Sequence, residues 1–148
     1  MKKVVHAPAK INLCLHVTGR REDGYHDLAT LMQRVSVQDR LEITISGGTE
    51  ITVCCPRLVL SPGVENIAAR AARLFLSYIG EECSVAVRID KTIPAAAGMG
   101  GGSSNAASVL LALNDMLDVS LSQSELISIG VTIGADVPFF LYDQSSAW

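Results

Sequence analysis

Lysine is scarce in this sequence. Of 12 basic residues set against 15 acidic ones, only four are lysines, and Lys2 and Lys3 lie at the N-terminus. With a net charge of −3, the chain lacks the basic excess that nucleic-acid binders use to neutralise phosphates, so no nucleic-acid partner is expected. Long apolar runs are missing too. The longest, Val109 to Leu113, falls far short of the ~20 residues needed to span a bilayer, so no membrane partner is expected. The four cysteines, Cys14, Cys54, Cys55 and Cys83, contain no C-x-x-C spacing. Adjacent Cys54 and Cys55 are badly placed to pair with each other or to share a metal, which argues against a disulfide framework. Pro8, Lys10 and Asn12 interrupt any signal-peptide core after Lys2 and Lys3, so a reduced, cytoplasmic protein is expected.

What is present is apolar. The 148 residues suit one domain, and 49% hydrophobic against 18% charged residues exclude a disordered chain. The mean hydropathy of +0.33 implies either a large core or apolar surface that something outside this chain covers. Ile11, Leu13, Leu15 and Val17 alternate with Asn12, Cys14 and His16, predicting a strand with one buried face, and Lys10 falls on the Asn12 side. Thr18 to Gly24 reads as a polar loop. Leu41, Ile43 and Ile45 alternate before Gly47 and Gly48, and Ile51 and Val53 alternate after them, which predicts a hairpin. A helical period starts at Asn66 and stops at Gly80. Val85, Val87 and Ile89 predict another strand. A helix is expected from about Asn105 to Leu117, and Ser122 with Glu125 forms a capping box, with Leu121 and Leu126 as its staple. Phe139 to Tyr142 reads as a buried strand. The pattern indicates a two-layer α/β or α+β domain.

The chemistry concentrates in a few places. Gly100 to Ser104 is an unbroken glycine–serine run ahead of a helix. Without β-carbons, backbone N–H groups can approach an anion, and the helix N-terminus adds partial positive charge. The serine hydroxyls can serve phosphate oxygens or Mg²⁺. The run lacks the Gly-Lys-Ser/Thr of a Walker A loop and the third glycine of a dinucleotide fingerprint. Lys10 could be a surface lysine and Asp136 a turn residue. Taken with an anion cradle, however, an internal lysine and an internal aspartate suit phosphoryl transfer. Tyr25 and His26 follow Asp23 and Gly24 and could clamp a flat ring. No His pattern indicates a metal site, and the metal ligands stay unknown.

The segment Pro94, Ala95, Ala96, Ala97, Gly98, Met99, Gly100, Gly101, Gly102, Ser103, Ser104, Asn105 resembles the phosphate-binding motif of the GHMP small-molecule kinases. Pro8 to Leu13, Gly24 to His26 and Gly134 to Pro138 extend the resemblance over essentially the whole chain. It implies an α+β class: the two-layer α/β N-terminal domain of the GHMP kinase fold, with a left-handed β-α-β unit. It further implies ATP and Mg²⁺ as cofactors, Pro94 to Ser104 on the ATP phosphates and Asn66 near the adenine. Asp136 would be the catalytic base, and Lys10 would polarise the substrate hydroxyl. Asn12, Tyr25 and His26 would contact a small-molecule substrate, a cytidine-diphosphate-linked methylerythritol of non-mevalonate isoprenoid synthesis. Residues 1–148 are then expected to be the N-terminal, ATP-binding domain, with the C-terminal GHMP domain absent from this chain. Such a piece is expected to be inactive alone and to self-associate through an uncovered domain interface. Another GHMP kinase, such as a homoserine kinase, and a non-catalytic nucleotide-binding module are the alternatives.

Overall fold

The structure is a computed structural model that describes residues 1–20, 24, 26–57 and 65–147, excluding the side chains of residues 26 and 28. Strand β1 (Lys2–Arg20) pairs antiparallel with β2 (His26–Ser46). Both are longer than the alternation predicts, and Thr18, Gly19 and Arg20 belong to β1 rather than to a loop. The pairing carries register shifts between Pro8 and Ala9, Asn12 and Cys14, and Val17 and Gly19. Such bulges turn side chains from one face to the other, so both Ala9 and Lys10 are buried.

Strand β3 (Ile51–Cys54) does not form the predicted hairpin with β2. It pairs parallel with β4 (Ser84–Asp90), and β4 pairs antiparallel with β2. The sheet order is therefore β1-β2-β4-β3. Gly47 and Gly48 carry the chain across the end of β4. Glu50 N–H donates to Ser84 Oγ at 3.0 Å and Val85 N–H to the Glu50 carbonyl at 2.8 Å. A Cβ on Gly48, whose φ is +117°, would lie 2.5 Å from Ser84 Oγ. Two strands that alternate around a Gly-Gly pair look alike whether they are neighbours or flank a third, so sequence alone could not separate the two. Helix α1 (Ile67–Ile79) links β3 to β4 and makes the β-α-β unit.

Helices α1, α2 (Gly101–Met116), α3 (Gln123–Ile133) and α4 (Val137–Leu141) complete the second layer. Leu41, Ile43, Ile45, Val85, Val87 and Ile89 of the sheet meet Phe75, Val109, Leu110 and Leu113 of the helices in one buried cluster. Ala106, Ala107 and Ala112 are buried along α2, where small side chains permit close packing against the sheet. The capping box forms as expected: Ser122 accepts from Glu125 N–H, and Glu125 accepts from Ser122 N–H. Helix α2 begins at Gly101, earlier than the expected Asn105, because its first turn is the glycine–serine run itself.

Two further expectations fail. Phe139 to Tyr142 is not a strand: α4 occupies Val137–Leu141 with Pro138 in its first turn, where the missing N–H costs nothing. A short apolar run does not separate a buried strand from a buried helix. The short strand β5 (Ser146–Ala147) follows and pairs with β2. Ile11, Leu13, Leu15 and Val17 are exposed, by 38, 56, 50 and 61% respectively, rather than buried, and the register shift between Asn12 and Cys14 breaks their common face. The helical layer covers Ala7 and Ala9 but not this outer half of β1.

Candidate active site

The glycine loop is bound to β1. Lys10 N–H donates to the Met99 carbonyl at 2.9 Å. The loop turns through left-handed backbone at Ala96, Gly98 and Gly100, with φ of 56°, 72° and 67°. Gly100 is the N-cap of α2, and a Cβ there would meet the Phe140 ring at 3.0 Å and Lys10 Cγ at 3.1 Å. That approach places the lysine stem directly behind the loop.

Lys10 is 6% exposed. Its Nζ donates to Asn12 Oδ1 at 2.5 Å, Asn12 Nδ2 donates to Thr30 Oγ1 at 2.6 Å, and Thr30 Oγ1 donates to the Cys14 carbonyl at 2.8 Å. The same Nζ lies 3.5 Å from Asp136 Oδ2. Asp136 stands at the N-cap position of α4 and makes no side-chain cap bond there, so its carboxylate faces the lysine. Its side chain is 39% exposed against 7% for Lys10: one partner is held in the wall and the other reaches solvent. Helix α4 is fixed at its far end by Arg34 of β2, which donates to the Phe139 carbonyl at 3.0 Å and to the Tyr142 carbonyl. The guanidinium also lies over both phenylalanine rings. Burial lowers the Arg34 pKa, and Asp143 acts in the opposite direction.

On the other side of the loop is a cavity of about 520 Å³. Pro94 to Ser103, Asn105, Asn66 and Lys91 line it. The first N–H groups of a helix have no intrahelical partner, and α2 carries no acidic residue in its first turn. That end of the cavity is therefore a ready anion site. A Cβ on Gly101 would meet Lys91 Nζ at 2.9 Å and Ile93 Cγ2 at 3.0 Å, so only glycine leaves the space open. Asn105 lines the cavity, and its buried Oδ1 has no partner. Ser104 Oγ is also buried without a partner, but Ser104 is not among the lining residues. Asn66 caps α1 through a bond from Ala68 N–H to Asn66 Oδ1 at 2.9 Å, and it also borders the cavity.

The structure thus brings Lys10, Asn12 and Asp136 together on one side of the loop, and groups Asn66 with Pro94 to Ser103 on the other. Tyr25 lies outside the described residues. His26 pairs with Arg20 in the β1–β2 ladder, and its side chain is not among those described. Among the described residues no cluster of three or more His, Cys, Asp or Glu could hold a metal, and all four cysteines are free. Sequence reasoning missed Asp39, which is fully buried. The available signal was its spacing of two from Leu41, Ile43 and Ile45, which puts a carboxylate on the core face of β2. Thr30 and Arg34 carried no comparable signal.

Residues 66–144 match the family model described as the GHMP kinases N-terminal domain. The chain is 56% identical over 142 residues to 4-diphosphocytidyl-2-C-methyl-D-erythritol kinase of Syntrophotalea carbinolica, covering 96% of this chain and 50% of that protein. It is 49% identical over 140 residues to the kinase of the same name from Geobacter metallireducens, covering 95% and 50%. The chain therefore spans about half the length of the curated relatives it matches. A crystal structure of 4-(cytidine 5'-diphospho)-2C-methyl-D-erythritol kinase superposes with a TM-score of 0.74 at 44% identity, covering 95% of this chain and 48% of that one. The mevalonate kinase of Methanococcus jannaschii superposes at 0.66 with 17% identity, covering 90% and 46%, and shares the fold. With residues 66–144, more than half of the chain and including the glycine loop, matching the family model, this chain belongs to the GHMP kinase family.

Proposed function

We propose that the protein contributes the nucleotide-binding half of an ATP-dependent kinase. Its acceptor is the 2-hydroxyl of 4-diphosphocytidyl-2-C-methyl-D-erythritol, in non-mevalonate isoprenoid biosynthesis. The observation that carries this reading is the 3.5 Å ion pair of Lys10 with Asp136, held against a glycine loop at a helix N-terminus. ATP would lie in the cavity with its phosphates on Pro94 to Ser104 and its adenine toward Asn66. The missing side chain at Gly101 lets Lys91 Nζ and Ile93 pack close against the start of α2, beside the phosphates. The buried, unpartnered Asn105 Oδ1 fits Mg²⁺ chemistry, in which one or two protein oxygens supplement phosphate oxygens. Bound Mg²⁺ supplies neutralising charge at the transferring phosphoryl group.

The chain's own residues do the rest. Asp136 orients the acceptor hydroxyl and takes its proton as the oxygen attacks the γ-phosphorus. The bond from the γ-phosphorus to the β–γ bridging oxygen breaks, and ADP leaves. Lys10 stays between Asp136 and Asn12, so the hydroxyl meets a fixed ammonium and a fixed carboxylate, and positioning of this kind carries most of phosphoryl-transfer catalysis. Asn12, Tyr25 and His26 contact the cytidine-diphosphate end of the substrate. The reaction draws on cytoplasmic ATP, and the reading puts the protein there. Among the described residues no helix is long and apolar enough to cross a membrane.

A coupled ADP-release assay on the full-length gene product tests this reading. Turnover with the cytidine-diphosphate substrate, and none with homoserine or mevalonate, is the expected result. ATP binding without turnover on any of the three would instead identify a non-catalytic nucleotide module. Residues 1–148 alone should be inactive and should self-associate through exposed apolar side chains such as Ile11, Leu13, Leu15 and Val17, because exposed apolar surface favours burial. Light scattering that shows a strict monomer at every concentration would refute the second part.

A further inference from the structure

Strand β2 places one carboxylate where its neighbours are core residues. Asp39 is 0% exposed and shares its face with Leu41, Ile43 and Ile45. A buried charge is tolerated only when paired and hydrogen-bonded, and Asp39 is fully engaged. Its Oδ1 accepts from Thr92 N–H at 2.7 Å and from Ile93 N–H at 2.9 Å. Its Oδ2 accepts from Lys91 Nζ at 2.5 Å. All three donors belong to the segment that leads from β4 into the glycine loop. The Lys91 side chain is only 10% exposed, yet Lys91 lines the cavity. Its Nζ lies 2.9 Å from where a Cβ of Gly101 would stand, in the space that glycine leaves open at the start of α2.

We propose that Asp39 is a positioning residue for the nucleotide phosphates: it anchors the entry to the glycine loop and aims the Lys91 ammonium into the cradle at Gly101. This deepens, and rests on, the reading of the cavity as an ATP site. An ammonium has three N–H donors. One is spent on Asp39, and among the described residues the other two meet no acceptor and can serve an anion. A free lysine has a long, flexible stem and loses rotamer entropy on meeting a ligand. Held from behind by a buried carboxylate, Lys91 has lost that entropy before the ligand arrives, and preorganisation of this kind appears as affinity.

The test uses Asp39→Asn, Lys91→Met and the double variant in the full-length gene product, with ATP binding by calorimetry and separate KM values for ATP and the second substrate. Asparagine keeps an oxygen for the Thr92 and Ile93 N–H groups but turns an amide NH₂ toward the ammonium, so it releases Lys91 while the loop stays anchored. Each single variant should raise the KM for ATP about tenfold, as expected for loss of one charge-assisted hydrogen bond. The KM of the second substrate should move less than twofold. The double variant should be no worse than the worse single one, because both changes remove the same ammonium. An Asp39→Asn protein with a lower Tm but an unchanged KM for ATP has a purely structural Asp39 and overturns the proposal. So do additive effects. If Asp39→Asn does not fold, Lys91→Met decides: an unchanged KM for ATP leaves Asp39 nothing to aim. A wild-type protein that fails to bind ATP overturns the cavity reading and this inference together. A wild type that binds ATP no better than the variants overturns this inference alone.

Discussion

The backbone N–H of Lys10 donates to the carbonyl of Met99 at 2.9 Å, which ties the strand that carries the ammonium to the loop that precedes α2. Asp136 reaches the same ammonium from the start of α4. Three segments far apart in sequence thereby meet at Lys10. Asp136→Asn keeps the shape and removes the charge. In the full-length enzyme, kcat should fall about 10²–10⁴-fold, the usual loss for a positioned acid–base group, with little change in the KM for ATP. Steady-state kinetics decides it: a kcat within about threefold of wild type, roughly 0.7 kcal/mol of barrier, removes Asp136 from the chemistry.

Gly101 is buried, with Lys91 Nζ and Ile93 Cγ2 at 2.9 and 3.0 Å from any added Cβ. Gly101→Val would force branched carbon against Lys91 and Ile93 and distort the start of α2, and ATP affinity should drop by an order of magnitude or more. Calorimetry with unchanged ATP binding in a folded Gly101→Val enzyme would show that the phosphates do not approach this turn.

The segments that build these two places were legible from the sequence to different degrees. The glycine run announced itself, because residues without side chains ahead of a helical pattern have few other uses. Lys10 and Asn12 were placed on one face correctly by period-two geometry, and Asn66 and Ser122 were recognisable as helix starts. The path of the sheet was not legible. Alternation around Gly47 and Gly48 describes two strands and says nothing of β4 lying between them. The alternation from Ile11 to Val17 gave a true strand and a wrong environment, because periodicity shows neither what covers a strand nor the bulge between Asn12 and Cys14 that interrupts it. Asp39 was hidden by its type: aspartate near the start of a regular alternation reads as a loop residue until its donors are seen.

Helix α3 offers a test of local physics. Ser122 accepts from Glu125 N–H at 3.3 Å, and Glu125 accepts from Ser122 N–H at 2.8 Å. Ser122→Ala should cost about 1 kcal/mol, the usual loss for an N-cap. The bonds from the Ser122 hydroxyl and backbone lower the Glu125 pKa. A carboxylate lowered in the folded state contributes stability that is present above its unfolded pKa and lost as pH falls through the folded one. The gap in denaturant midpoint between wild type and Ser122→Ala should therefore be full at pH 7 and narrow below the ordinary carboxylate range. A gap that stays constant down to pH 3 would mean that the two halves of the box are not coupled.

Ala96 stands inside the glycine loop with φ of 56°, in the left-handed region that disfavours a Cβ by about 1–2 kcal/mol. Gly98 and Gly100 hold similar backbone angles at no such cost. Ala96→Gly removes the strain, while glycine's extra freedom in the unfolded chain returns about 0.4–1 kcal/mol of the gain. The net effect should be a Tm higher by a few degrees. Ala96 lines the cavity, so the two consequences can be read separately. Thermal unfolding reports the relieved strain, and calorimetry with ATP reports whether the stiffer alanine loop was preorganised for phosphate. Stability should rise and ATP affinity should not improve, because a loop with more conformations loses more entropy on closing around an anion. A lower Tm for Ala96→Gly would show that the alanine methyl makes packing contacts worth more than its backbone strain.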